Sequence, residues 1–350
     1  MHAHAHVDRI AEVRTQLVRR LALVLADTPR VAMLDFPAYG NVGDSAIWLG
    51  ALALLRQLGI APPFWAAGRM VLHLADLRAR IAPDDVLLLS GGGNFGDLWP
   101  AHQDFREEVL RAFPSHRVVQ LPQSLHFDDP GALNRARHVV ARHRRFTLIV
   151  RDEESLAFAR EHFDCDVLLA PDLAYALGPL PRPRPTRPVV WLSRHDKERA
   201  LGEEPPTRGV PREDWHADDG DHAALLHGWL LKQFDARPVS LRPFLAPFAR
   251  TFPFAARRRL ERGIRLLGAG ETVVTDRLHG HVLSLLLGIP HVLLPSRTGK
   301  AHALHRTWTA GHPLVRFAET ETEALREAAE MGEGGGGRDE GRGMRVRDEG

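Results

Sequence analysis

Short apolar runs that end at turn residues and alternate with helical patterns constrain this chain more than any other feature. Val31-Ala32-Met33-Leu34-Asp35, Val86-Leu87-Leu88-Leu89-Ser90, Arg117-Val118-Val119-Gln120-Leu121 and Phe146-Thr147-Leu148-Ile149-Val150 lack the polar alternation of a half-exposed strand. Each therefore reads as a strand covered on both faces. Residues 45–58, 104–113 and 133–143 between them carry helical patterns, and buried strands separated by helices predict a parallel sheet. The stretch Gly178-Pro179-Leu180-Pro181-Arg182-Pro183-Arg184-Pro185 can form neither central strand nor helix. A second alternation follows: strands at 189–193, near 238–241, at 272–275 and at 291–294, with helices over 221–234 and 255–267.

The expected fold is α/β, with two Rossmann-like doubly wound domains facing a cleft; 350 residues exceed what one core normally supports. The expected boundaries are a tail and amphipathic helix over 1–29, a first domain over 30–178, a linker over 179–187, a second domain over 188–330 and a disordered Gly-rich tail over 331–350. The acidic, Pro-rich stretch 198–220 reads as a surface loop. The alternating His2, His4 and His6 read as a disordered terminus. With 44% hydrophobic and 26% charged residues, the chain is an ordinary globular protein. A formal charge of +2 gives no field for nucleic acid. The single Cys165 rules out an intrachain disulfide, which fits a cytoplasmic location. Neither the N-terminus nor the short run at 21–26 is long and apolar enough for a signal core or a membrane span.

The strand at 272–275 runs into Asp276-Arg277-Leu278-His279-Gly280-His281 and then a helix. Unpaired N–H groups at a helix start favour an anion, and Arg277 adds a planar fork for phosphate or carboxylate. His279 beside a dianion is favoured in its protonated form, and Gly280 lets a ligand or another backbone approach. The plainer alternative pairs Asp276 with Arg277 and uses His279 as a cap. A metal at His279 and His281 lacks carboxylate or Cys partners at ligand spacing. Two Gly-rich turns, Tyr39-Gly40-Asn41-Val42-Gly43-Asp44 and Ser90-Gly91-Gly92-Gly93-Asn94-Phe95-Gly96-Asp97, match neither a Walker loop nor a dinucleotide fingerprint. Asp44 reads as a helix cap; Asp97 reads equally as a cap or a partner for a sugar hydroxyl. Arg151 either pairs with Asp152, Glu153 and Glu154 or points into the cleft. Arg194, His195 and Lys300 follow other strand ends.

In chain order these segments resemble the polysaccharide pyruvyl transferases, above all the branch that modifies bacterial exopolysaccharides. The further matching stretches are Leu98-Trp99-Pro100, Leu121-Pro122-Gln123-Ser124, Val150-Arg151-Asp152-Glu153, Ala170-Pro171-Asp172, 194–198 and Gly299-Lys300. The resemblance implies a GT-B type fold and transfer of the carboxyvinyl unit of phosphoenolpyruvate onto two sugar hydroxyls, giving a pyruvate ketal and phosphate. It places Arg277, Leu278, His279, Gly280 and Arg151 on phosphoenolpyruvate, with Arg194 and Lys300 as further cations and His279 as general acid. The acceptor side would comprise Asn41, Asp44, Gly92, Gly93, Asn94, Asp97 and Gln123. Phosphoenolpyruvate is then a co-substrate, and neither a cofactor nor a metal is expected. The acceptor is a saccharide, free or lipid-linked. The enzyme would work in the cytoplasm or at the inner face of the membrane, in contact with lipid or polysaccharide-assembly proteins. Two rival readings are a GT-B glycosyltransferase using a nucleotide-sugar and a non-catalytic scaffold.

Overall fold

Two all-parallel sheets organise the chain in a computed structural model that describes residues 2–69, 73–200, 210–215, 221–236 and 242–333. The first sheet contains β1 (Val31–Leu34), β2 (Trp65–Ala67), β3 (Val86–Leu89), β4 (Gly92–Gly96), β5 (Arg117–His126), β6 (Phe146–Val150) and β7 (Asp166–Leu169). Its order is β2-β1-β3-β5-β6-β7, with β4 also paired to β5. The helices on it are α1 (His2–Leu25), α2 (Val42–Gln57), α3 (Leu74–Arg78), α4 (Pro100–Ala112), α5 (Pro130–Ala141) and α6 (Glu153–His162). β1 and β3 are buried at every position, as wholly apolar strands under two helical layers should be.

The second sheet contains β8 (Arg187–Leu192), β9 (Arg212–Glu213), β10 (Gly270–Thr275), β11 (His291–Leu293) and β12 (Val315–Phe317), in the order β12-β11-β10-β8-β9. Its helices are α7 (His222–Ala236), α8 (Leu245–Ala249), α9 (Phe252–Gly268), α10 (Leu278–Leu287), α11 (Lys300–Leu304) and α12 (Glu321–Glu333). The molecule is thus α/β, with parallel, Rossmann-like sheets.

Several expectations change. The N-terminus is helical from His2 rather than disordered, and α1 is held by Ile10, Val13, Leu17, Leu21 and Leu25, buried at three- and four-residue spacing. Gly92–Gly96, expected as a turn, is a strand, with Gly92 and Gly96 at φ 138° and 135°. The stretch expected as a surface loop contributes β9 to the sheet edge. Met331–Glu333 complete α12; the remainder of the expected tail, and the strand expected near 238–241, lie outside the described residues. Among the described residues no helix is long and apolar enough to cross a membrane.

The two sheets meet through α2 and α9. A Cβ on Gly263 of α9 would lie 2.3 Å from Val42 Cγ1, so only glycine allows this approach. One apolar cluster runs through both sheets, from Met33 and Leu88 to Val190, Val273 and Leu283. The segment before β8 is tied down as well: Leu180 N–H bonds Leu286 O at 2.8 Å and Thr186 N–H bonds Ala269 O at 2.8 Å.

Candidate active site

A cleft of about 650 Å³ opens at the carboxyl ends of the strands, lined by residues following β1, β6, β8 and β10. That is where open α/β sheets bind ligands. On the second-sheet wall, β10 ends at Thr275, whose Oγ1 accepts the Arg277 N–H at 3.0 Å. Arg277 then takes the N-cap position of α10 in an extended conformation. Gly280 faces the strand rather than the cleft: a Cβ there would lie 2.4 Å from Thr275 Oγ1. Its task is close helix–strand packing, not ligand approach. Leu278 lines the cleft.

Arg277 does not pair with Asp276. Its Nη2 bonds Asp214 at 2.7 Å and lies 3.8 Å from Asp196. Asp276 accepts the Arg194 N–H at 2.9 Å, and burial raises its pKa to about 6 against the pull of Arg277 and Arg194. His279 is not a cap either. Its ring lies against the first turn of α2, where a Cβ on Gly43 would be 2.5 Å from Nδ1. Its Nε2 lies 3.4 Å from Asp172, an ion-pair contact without hydrogen-bond alignment. Both His279 Nε2 and Arg277 Nε are buried with no hydrogen-bond partner among the described residues, leaving two donors that an anion in the cleft can occupy. His281 points elsewhere: Nδ1 meets His291 Nε2 at 2.7 Å and Nε2 meets Thr309 Oγ1 at 3.1 Å. Both of its nitrogens are therefore taken by protein.

Arg151 is buried in the cleft floor and ignores the acids of its own helix. Nη1 bonds Asp172 at 2.6 Å and Nε bonds Ser124 Oγ at 2.9 Å, while Asp152 caps α6 through Ser155 N–H. Asp172 thus holds Arg151 and His279 together. Burial opposes its ionisation, but the charges of His279 and Arg151 keep it well below the ordinary carboxylate range. Lys300, in the first turn of α11, donates to Gly93 O at 2.7 Å across the cleft and lies 3.4 Å from Glu198. Glu198 also bonds Arg194 at 3.0 Å and accepts Trp99 Nε1–H at 3.1 Å. Arg194, Asp196 and Glu198 therefore form a packed wall, while His195 and Lys197 between them are exposed. Burial pulls the Lys300 pKa down, and Glu198 counters it.

On the first-sheet wall, Asn41 rather than Asp44 caps α2, accepting the Gly43 N–H at 2.9 Å. Asp44 instead receives Tyr39 O–H and Asn41 Nδ2–H, both at 2.9 Å. Gly93 and Asn94 line the cleft. Gln123 does not: it is fully buried and braces Asn94, donating to its Oδ1 at 2.9 Å and accepting its N–H at 3.2 Å. Gly92 sits behind this pair, near Asp44 and Gln123. Asp97 lies outside the cleft and is neither cap nor cleft group. It accepts the N–H of Asp128 at 2.7 Å and the N–H of Asp129, and Asp129 caps α5.

One pair was not singled out in the sequence. His102 Nδ1 lies 2.9 Å from Asp35 Oδ2, and the His102 ring lies beside Tyr39 with centroids 6.0 Å apart. Asp35 follows β1 and sits at φ 66°, a left-handed conformation that costs energy for a residue other than glycine. A carboxylate directly after a buried strand is the signal that could have found it. Asp214 and Trp215 also line the cleft, although they fall in the stretch read as a surface loop.

The family model described as Polysaccharide pyruvyl transferase matches residues 41–297. "Pyruvyl transferase 1" of Schizosaccharomyces pombe is 36% identical over 303 residues, covering 83% of this chain and 72% of that protein. "Putative pyruvyl transferase EpsO" of Bacillus subtilis is 29% identical over 311 residues, covering 85% of this chain and 90% of that protein. The crystal structure of an uncharacterized Klebsiella pneumoniae protein shares the fold, with a TM-score of 0.58 at 17% identity over 87% of this chain and 99% of that one.

Proposed function

The chain belongs to the polysaccharide pyruvyl transferase family, and on that premise we propose that it transfers the carboxyvinyl unit of phosphoenolpyruvate onto two hydroxyls of a saccharide, closing a pyruvate ketal and releasing phosphate. One observation carries the donor assignment: Arg151, Arg194, Arg277 and Lys300 converge on one cleft with His279, and Arg277 Nε and His279 Nε2 have no hydrogen-bond partner among the described residues. Phosphoenolpyruvate brings a phosphate and a carboxylate, which need that number of cations and fixed donors. We read the two sheets and their shared cleft as a GT-B type arrangement, with a first domain over 30–178 on the acceptor side and a second over 188–330 on the donor side.

In this reading His279 gives a proton to the methylene carbon, and the neighbouring carbon becomes electrophilic. A sugar hydroxyl attacks that carbon while its own proton passes to His102, whose ring Asp35 holds in orientation. The C–O bond to phosphate then breaks, and the second hydroxyl closes the ring, its proton leaving with phosphate. Asp172 keeps the His279 imidazolium and Arg151 in place, and Asn41, Gly93 and Asn94 face the acceptor. The acceptor is a saccharide, free or lipid-linked, and the work is done in the cytoplasm or at the inner membrane face.

The test incubates the protein with phosphoenolpyruvate and candidate glycans, reading phosphate release and the ketal mass. His279→Ala should lower turnover about 10²–10⁴-fold while the variant still folds. Ketal formation at the wild-type rate by that variant overturns the role of His279. Stabilisation by nucleotide-sugars instead of phosphoenolpyruvate overturns the donor.

A further inference from the structure

Away from the cleft, the outer surface formed by α7, α8 and α9 is both apolar and cationic. α7 turns Ala224, His227, Leu231 and Phe234 inward, where His227 and Phe234 stack on Phe248 with ring centroids 4.9 and 4.7 Å apart. Its opposite stripe carries Leu225, Leu226 and Trp229. Phe244 lies one turn before Phe248, and Phe254 lies in the first turn of α9. These five side chains are 48–61% exposed, and they are five of the seven large hydrophobic side chains left exposed among the described residues. Exposed apolar groups scattered singly need no explanation, whereas a cluster of this kind marks an interaction surface.

The three helices are fixed to one another here. Asp221 accepts the Ala224 N–H at 3.1 Å and bonds Arg258 of α9 at 3.1 Å. Leu225 is one helical turn beyond Asp221, and Phe254 is one turn before Arg258. Among the described residues, the exposed charges interleaved with the apolar groups are Lys232, Arg250 and Arg257 against the single acid Glu261, which lies 3.8 Å from Arg258, and Asp221 is buried in its bridge. Arg250 and Arg257 also border an apolar groove floored by Trp48, Phe64 and Phe252, which extends the surface onto the edge of the first sheet.

We propose that this face docks the protein on an anionic lipid bilayer. Tryptophan and phenylalanine settle at the headgroup level with leucine beneath them, and arginine and lysine pair with anionic headgroups. The inference is independent of the cleft chemistry, because none of the residues assigned to phosphoenolpyruvate or the acceptor lies in this patch.

Co-sedimentation of the full chain with phosphatidylcholine vesicles, with and without phosphatidylglycerol, tests it. The wild type should pellet with phosphatidylglycerol vesicles and be released by salt. Arg250→Glu with Arg257→Glu, and separately Leu226→Ser with Trp229→Ser, should each weaken binding about tenfold or more. Melting temperature and turnover on a soluble acceptor should stay at wild-type values. Failure of the wild type to pellet, equal binding to neutral vesicles, or variants that bind like wild type overturns the proposal. So does a dimer in size-exclusion chromatography that the Leu226→Ser, Trp229→Ser variant dissolves, since a second copy is then the occupant.

Discussion

Asp172 lies 2.6 Å from Arg151 and 3.4 Å from His279 with no exposed surface, so one buried carboxylate serves two site cations. Asp172→Asn would leave Arg151 buried without its counter-charge, a loss of about 3–5 kcal/mol for a pair broken on one side. The pH dependence has a definite sign. The folded pKa of Asp172 is depressed, so its contribution is present above the unfolded value near 3.9 and is lost as pH falls from there towards the folded value. Melting temperatures followed from pH 6 down to about pH 2 should therefore fall less steeply for Asp172→Asn than for wild type. Parallel curves would remove the stability role assigned here. Legibility differed among such residues. Arg151, Arg277 and His279 could be placed at the cleft because each follows a strand end. Their partners could not be, because Asp172 and Asp214 meet them only through tertiary packing. Asn41 and Asp44 were exchanged in their capping roles because both residue types cap well and only backbone geometry separates them.

At the scale of elements, α10 is buried along its whole length, and its two faces do different work. Towards the cleft, His279 rests on Gly43; towards the sheet, Gly280 rests on Thr275. Gly43→Ala should push the imidazole aside and lower turnover at least tenfold, with a small change in melting temperature, because a side chain beside a cleft has room to move. Gly280→Ala drives a methyl into a packed strand and should destabilise the fold by about 1–3 kcal/mol. Measuring kcat and thermal stability for both variants separates the two faces, and a reversed pattern would refute the division. Behind α10, burial first and then the neighbouring histidines hold His281 well below its ordinary pKa. A histidine kept neutral in the fold gives stability that is present above the unfolded pKa near 6.5 and is lost as pH falls below it. Urea midpoints between pH 8 and pH 5 should decline in the wild type and decline less in His281→Leu. Strands such as β1, β3 and β6 were legible because they are apolar throughout or, in β6, at every position but Thr147. β2 and β12 were not, since neither Trp65-Ala66-Ala67 nor Val315-Arg316-Phe317 is part of an apolar run like the one at 291–294, and the glycines of β4 read more naturally as a turn.

For the whole molecule, the Pro/Arg-rich stretch invites a picture of two bodies on a loose tether. The contacts argue otherwise. Leu180 and Thr186 are bonded to the second sheet, α9 presses on α2 through Gly263, and one apolar cluster runs through both sheets. The cleft is bridged too: Lys300 donates to Gly93 O, Trp99 donates to Glu198, and Arg259 donates to Pro37 O at 3.0 Å. Two sheets that share a core and bridge their own site should lose structure together, so calorimetry of the full chain should give one unfolding transition. In the proposed reading phosphoenolpyruvate is held mainly by cations of the second sheet and rests on Arg151 of the first, so it should raise that transition as a unit. Saturation at 100 times its Kd would add about 2.7 kcal/mol. Arg277→Met should abolish the shift while keeping the single transition. Two separated transitions, with phosphoenolpyruvate moving only one, would mean that the lobes unfold independently and that neither the core nor the substrate couples them.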